Sequence, residues 1–263
     1  MARFCPLFSS SSGNCTYIGG ASGGILIDAG VSAAKITGAL AAIGVEPEDI
    51  GAVFVTPEHS DHINGLRVFA GRHNIKVYAS EGTLGALEEM NCLTDKYTAE
   101  VITGKGVSVN GMHVVPFHTS HDSRESLGYS VFTPDDRRVT VATDTGIVNE
   151  ETMSFLLGSD LVMIESNHDI AMLQNGPYPY ILKRRILSDR GHLSNEACSK
   201  TVTKLVNNGT SRFWLAHLSK ENNFPDLAYQ TSVSALSMIG ASINKDYVLN
   251  VAGVSPQPGI TVF

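Results

Sequence analysis

The stretch Thr56-Pro57-Glu58-His59-Ser60-Asp61-His62 sets two imidazoles and two carboxylates within seven residues. Neutral imidazole nitrogen and carboxylate oxygen are the donors that borderline divalent ions such as zinc take, and donors this close in a turn can serve two adjacent ions. Later positions repeat one arrangement, a donor just after an apolar strand: His121-Asp122 after Val114 to Phe117, Asp144 after Val139 to Ala142, and His217 after Phe213 to Ala216. A strand end is a rigid mount, so these positions together predict a metal centre of His59, Asp61, His62, His121, Asp144 and His217. Each has a plainer explanation alone, as a turn cap or a hydrogen-bonded structural residue. Their joint placement favours the metal. Two ions roughly 3.5–4 Å apart would acidify a water between them and stabilise both oxygens of a phosphoryl displacement.

Strands and helices must carry these donors. Thr16 to Ile18 and Gly24 to Asp28 read as strands joined by a turn at Gly19-Gly20, followed by a helix from Ala33 to Ile43 and a buried strand, Ala52 to Val55. A helix near Gly65 to His73, a strand Lys76 to Ala79 and a helix around Thr83 to Met90 continue an alternating pattern. From Val101 the texture turns to ladders: Val107 to Val109, His113 to Phe117, Gly128 to Phe132 and Arg138 to Ala142. Leu161 to Glu165 is a further strand, Asn195 to Val206 a helix, and Arg212 to Ala216 a strand ending at His217. Two mixed sheets with helices outside satisfy this order.

Composition bounds the answer without choosing a substrate. No linker divides the 263 residues, so one domain over 1–263 is expected. With 43% hydrophobic and 17% charged residues the chain is globular rather than disordered, and no apolar run nears the ~18–20 residues needed to cross a bilayer. The N-terminus carries no secretory pattern, and Cys5, Cys15, Cys92 and Cys198 form no C-x-x-C pair, so a cytoplasmic protein with reduced thiols is expected. A net charge of −7 disfavours nucleic-acid binding through the whole molecule's field and leaves room for a local basic patch. The run Lys183, Arg184, Arg185 and Arg190, ending at His192, is a candidate phosphate holder; its plainer reading is a solvated helix face.

The order of donors resembles the metallo-β-lactamase superfamily, whose H-x-H-x-D-H motif is followed by a distant histidine, an aspartate and a final histidine. The YycJ/WalJ-type, exonuclease-like branch is similar over nearly the whole chain, through Ser9 to Asn14, Leu26 to Gly30, the 56–62 cluster, His121-Asp122, Thr143 to Gly146, Glu165 to Asp169, Gly191 to Asn195 and His217 to Asn223. The resemblance implies an αββα sandwich with metals at the sheet edges. Asp144 would bridge two ions, one also held by His59 and His121, the other by Asp61, His62 and His217. Pro57 stands where the motif has its first histidine. Proline cannot ligate through its side chain, so unequal occupancy is expected, with the site containing Asp61 filled more tightly. The depleted site would suit an octahedral, water-rich ion such as manganese as well as zinc, or recruit His118 or His168.

The implied activity is a phosphodiesterase on DNA, 5′-to-3′ exonuclease-like, using one or two zinc or manganese ions, with Asp61, Asp144, His168 and His192 catalytic. Asn167, His168, Lys183, Arg184 and His192 are the candidate substrate contacts, and Ser9 to Ser12 are either further donors or a capping turn. Asp28 reads as a support behind the ligands. Two competing readings remain: hydrolysis of a small ester, lactone or thioester, and a degenerate metal-binding protein disabled by Pro57.

Overall fold

In the computed structural model, which describes residues 1–255 and 260–263, two seven-stranded sheets face one another. The first sheet contains β1 (Arg3–Phe8), β2 (Cys15–Gly20), β3 (Gly23–Ile27), β4 (Ile50–Phe54), β5 (Lys76–Ala79) and β6 (Ala99–Val101), side by side in chain order, with the last strand, β14 (Thr261–Val262), against β1. The second contains β7 (Val107–Val109), β8 (Met112–His118), β9 (Leu127–Phe132), β10 (Arg138–Ala142), β11 (Leu161–Glu165), β12 (Arg212–Ala216) and β13 (Val248–Val251), again in chain order. Each sheet is mixed, as expected for this fold class.

Alternation along the strands explains the layering. In β3, Ile25 and Ile27 join Phe4, Phe54, Val131, Val141 and Met163 in the core between the sheets. Leu26, on the opposite face, packs with Ile36, Leu40, Leu66, Phe69 and Leu87 of helices α1 (Ala33–Ala42), α3 (Leu66–His73) and α4 (Glu81–Glu89). The second sheet's outer face is covered by α5 (Glu150–Leu156), α8 (Asn195–Val206) and α9 (Pro225–Met238), through Leu156, Val202, Leu205 and Leu236. Completely burying a side chain such as Phe54 or Leu205 contributes about 1.5–3 kcal/mol before entropic costs. The architecture is the four-layer αββα sandwich. Among the described residues, no helix is long and apolar enough to cross a membrane.

Three features depart from the sequence reading. Gly19 and Gly20 lie inside β2 and the chain reverses at Ala21-Ser22. Gly19 is small because a Cβ there would meet the Tyr17 hydroxyl at 2.0 Å, so this glycine makes room for a ring rather than forming the turn. The N-terminal segment is a core strand, β1, and Pro225 opens α9 from the first helical position, where its missing N–H costs nothing.

Candidate metal centre

Parallel register brings distant residues to one edge. Strands β10, β11 and β12 are parallel, pairing Ala142 with Ile164 and Glu165 with Ala216, so Asp144, Glu165 and His217 emerge side by side at their C-terminal ends. Strands β3 and β4 are likewise parallel and deliver Asp28 and the 56–62 segment from the first sheet. That segment continues into the short helix α2 (Ser60–Ile63), which carries Asp61 and His62. Asp28, Asp144 and His217 all adopt left-handed backbone, at φ 65°, 52° and 56°. Such conformations cost of order 1–3 kcal/mol each for non-glycine residues and persist where the surroundings hold them.

Two groups of donors face one another, His59 with His121 and Asp144, and Asp61 with His62 and His217, and a third, Glu165 with His192, shares Asp144 and His217 with them. His121 Nε2 lies 3.3 Å from His59 Nδ1 and 3.4 Å from Asp144 Oδ1. On the other side, His62 Nε2 lies 3.1 Å from Asp144 Oδ2 and 3.3 Å from Asp61 Oδ2, the latter also 3.3 Å from His217 Nε2. Asp144 thus faces both groups.

A ring of supports turns these nitrogens inward. His62 Nδ1 donates to Asp28 Oδ2 at 2.7 Å, and Asp28 Oδ1 accepts from the Thr56 amide. His121 Nδ1 donates to the Gly191 carbonyl, while Arg190 donates to the carbonyl of His121 itself. Glu165 holds two imidazoles on one oxygen: Oε1 accepts from His217 Nδ1 at 2.7 Å and His192 Nδ1 at 2.8 Å, and Oε2 accepts from the Thr145 and Leu193 amides. With Nδ1 engaged, each ring presents Nε2 to the centre, the arrangement that fixes metal-binding histidines.

The electrostatics fit a cation. Burial works to raise the Asp61 and Asp144 carboxyls, but the surrounding imidazoles, His217 and His62 foremost, hold both below the usual carboxylate range. Burial likewise would raise Glu165, which His192 and His217 hold at about 2. For His62 and His217 burial opposes charge, yet Asp144 raises both well above the usual imidazole range, helped by Asp28 at His62 and by Asp61 and Glu165 at His217. Burial keeps His121 below it. Asp144 Oδ2 is buried with only the His62 Nε2 beside it at 3.1 Å and makes no hydrogen bond of good geometry, an arrangement that a cation at the convergence of these donors would satisfy.

The groups open into a cavity of about 710 Å³ lined by His59, Asp61, Asp144, His192 and His217, with Glu58, Ser11, Arg67 and Arg185 on its walls. Of the sequence candidates outside the ligand set, only Ser11, Arg185 and His192 line it. Ser9 Oγ accepts from the His217 amide, and Asn14 Nδ2 reaches Asp61 and His62, so the serine turn braces ligands. Asn167 is buried and donates to the His217 carbonyl. His168 is 1% exposed with neither ring nitrogen hydrogen-bonded, and burial lowers it to about 4. It lies outside the cavity, and so does His118, which is exposed and lines a separate, smaller pocket. In α7 (Tyr180–Ile186), Lys183 caps the Gln174 and Gly176 carbonyls, Arg184 lies over Tyr180, and Arg185 pairs with Asp122. The basic run is therefore mostly committed to the protein itself. In the sequence Glu165 reads as a strand terminus; its place two residues before Asn167, in Glu165-Ser166-Asn167-His168-Asp169, is the signal that points to it.

Residues 24–218 match the family described as the beta-lactamase superfamily domain. The chain belongs to the metallo-β-lactamase superfamily. It is 38% identical over 250 residues to exodeoxyribonuclease WalJ of Streptococcus pneumoniae, covering 93% of this chain and 92% of that one. It is 35% identical to exodeoxyribonuclease YycJ of Bacillus anthracis, covering 94% of each. Among solved structures, the metallo-β-lactamase-fold protein YhfI of Bacillus subtilis superposes with TM-score 0.74 at 14% identity, over 97% of this chain and 98% of that one, a likeness of fold alone. Membership in this superfamily, in the branch holding WalJ and YycJ, makes the protein a metal-dependent hydrolase with His/Asp clusters suited to metal.

Proposed function

We propose that the protein is a metal-dependent phosphodiesterase that shortens DNA from an end, in the 5′-to-3′ direction. The observation that carries this reading is the pairing of two donor groups around Asp144 beneath an open cavity, in a chain whose relatives over more than nine-tenths of its length are named exodeoxyribonucleases. His59, His121 and Asp144 would hold one ion, and Asp61, His62, His217 and Asp144 the other; zinc and manganese both suit these donors, and we read residues 1–263 as one domain. When bound, the ions supply an attacking water at neutral pH and positive charge against the phosphoryl oxygens.

The chain's own groups do the rest. His192, tied through Nδ1 to Glu165, has Nε2 free toward the cavity and would protonate the leaving sugar oxygen as its bond to phosphorus breaks. Oxygen from water replaces it on phosphorus. Glu165, ionised and sharing one oxygen between His192 and His217, orients both rings. Asn167 fixes the backbone of His217, and this positioning is its role. His168 supports the fold from outside the cavity.

A test offers metal-stripped protein, refilled with manganese or zinc, to 5′-phosphorylated single- and double-stranded DNA and to a small lactone and thioester. DNA shortening that disappears in Asp61→Ala supports the reading. Turnover of the carbonyl substrates with DNA untouched would make it an ester-type hydrolase instead.

A further inference from the structure

A second groove continues from the metal cavity across α3. It has a volume of about 500 Å³ and shares Arg67 and Val68 with the metal cavity. Arg67, Arg72 and Lys96 line it together with a single carboxylate, Asp95, so the groove is net positive in a protein of net charge −7. All three basic side chains are exposed, and among the described residues no carboxylate forms an ion pair with any of them. This contrasts with Lys183 and Arg185, whose charges are already engaged. Arg67 and Gly71 lie one helical turn apart on one face of α3, and Gly71 keeps the floor of the groove low beside the stem of Lys96.

We propose that this groove is a second phosphate subsite, holding the DNA strand beyond the bond being cut through Arg67, Arg72 and Lys96. This rests on the nuclease reading. Unpaired cations spaced along a channel neutralise backbone phosphates without reading bases, so the subsite contributes affinity and length preference, and no sequence preference.

The test compares the metal-loaded full chain with Arg72→Gln/Lys96→Gln and with Gly71→Glu, which places a carboxylate in the groove. A Cβ at Gly71 meets Lys96 no closer than 3.5 Å, an ordinary van der Waals contact, so the substitution starts without a clash. Substrates are a long 5′-phosphorylated single strand, a dinucleotide and an aryl phosphodiester. The proposal predicts unchanged turnover of the two small substrates, which also certifies folding, and a raised KM for the long strand. Losing two phosphate contacts lowers the salt slope by about 1.4, so the natural protein loses about sevenfold more affinity than the double variant between 50 and 200 mM salt. An unchanged KM and salt slope on a strand that is still cut would overturn the subsite and leave the nuclease intact. Failure of the natural protein to cut any DNA would remove both.

Discussion

Glu165 and Pro57 mark the strongest and weakest points of the centre at the scale of single residues. All four acceptor positions used on Glu165 face N–H donors. Glu165→Gln turns an amide against one pair of donors and removes the charge behind His192 and His217. We expect a loss of about 1–3 kcal/mol in stability and on the order of tenfold to a hundredfold in metal affinity, measured by denaturant unfolding and by calorimetric titration. Pro57 leaves the group of His59 and His121 one imidazole short, so titration of the natural protein should resolve a tighter and a weaker ion. Pro57→His should tighten only the weaker; two equally tight ions in the natural protein would refute the asymmetry.

His168 gives a separate, acid-side prediction. Its folded value of about 4 lies below the ordinary imidazole value, so between those limits the unfolded chain binds the proton and the folded one does not. Its contribution is complete above about pH 6.5 and fades as pH falls toward 4. His168→Leu should therefore lose about 2 kcal/mol less stability than the natural protein between pH 7 and pH 5. Equal losses would show that this ring does not titrate as described.

At the scale of elements, the strand-then-donor arrangement made six ligand candidates legible, because a ligand on a strand end leaves its apolar run intact before it. What supports them was less legible. Glu165 ends an apolar strand like any other, and its partners His192 and His217 lie 27 and 52 residues away. The basic groove was hidden for the same reason: Arg67 and Arg72 sit on α3 and Lys96 on a loop beyond α4, joined only by packing. The contiguous 183–190 run stood out instead, and folding spends much of its charge internally. Packing also ties the first sheet to the ligand loop, since a Cβ at Gly30 would meet the Asp61 carbonyl at 1.7 Å. Gly30→Ala should cost about 1–3 kcal/mol and weaken metal binding by displacing Asp61, seen as a lowered unfolding midpoint and a reduced metal content.

At the scale of the whole molecule, the centre joins two sheets that elsewhere meet mainly through apolar side chains. His59, Asp61 and His62 follow a strand of the first sheet; His121, Asp144 and His217 follow strands of the second. An ion held by both sides stabilises the folded state by about 4 kcal/mol at a thousandfold excess over its Kd. Chelation should lower the melting temperature, and returning the metal should restore it; a melting curve indifferent to chelator would argue against a bridge between the sheets.

The most direct test of the central claim is release of mononucleotides from end-labelled 5′-phosphorylated DNA by the metal-loaded protein and by Asp144→Asn, which keeps the side chain's shape and removes its charge. The account predicts metal-dependent release from the 5′ end that Asp144→Asn abolishes. Release that survives Asp144→Asn, or DNA left intact with every divalent ion while the protein remains folded and loaded, would contradict it.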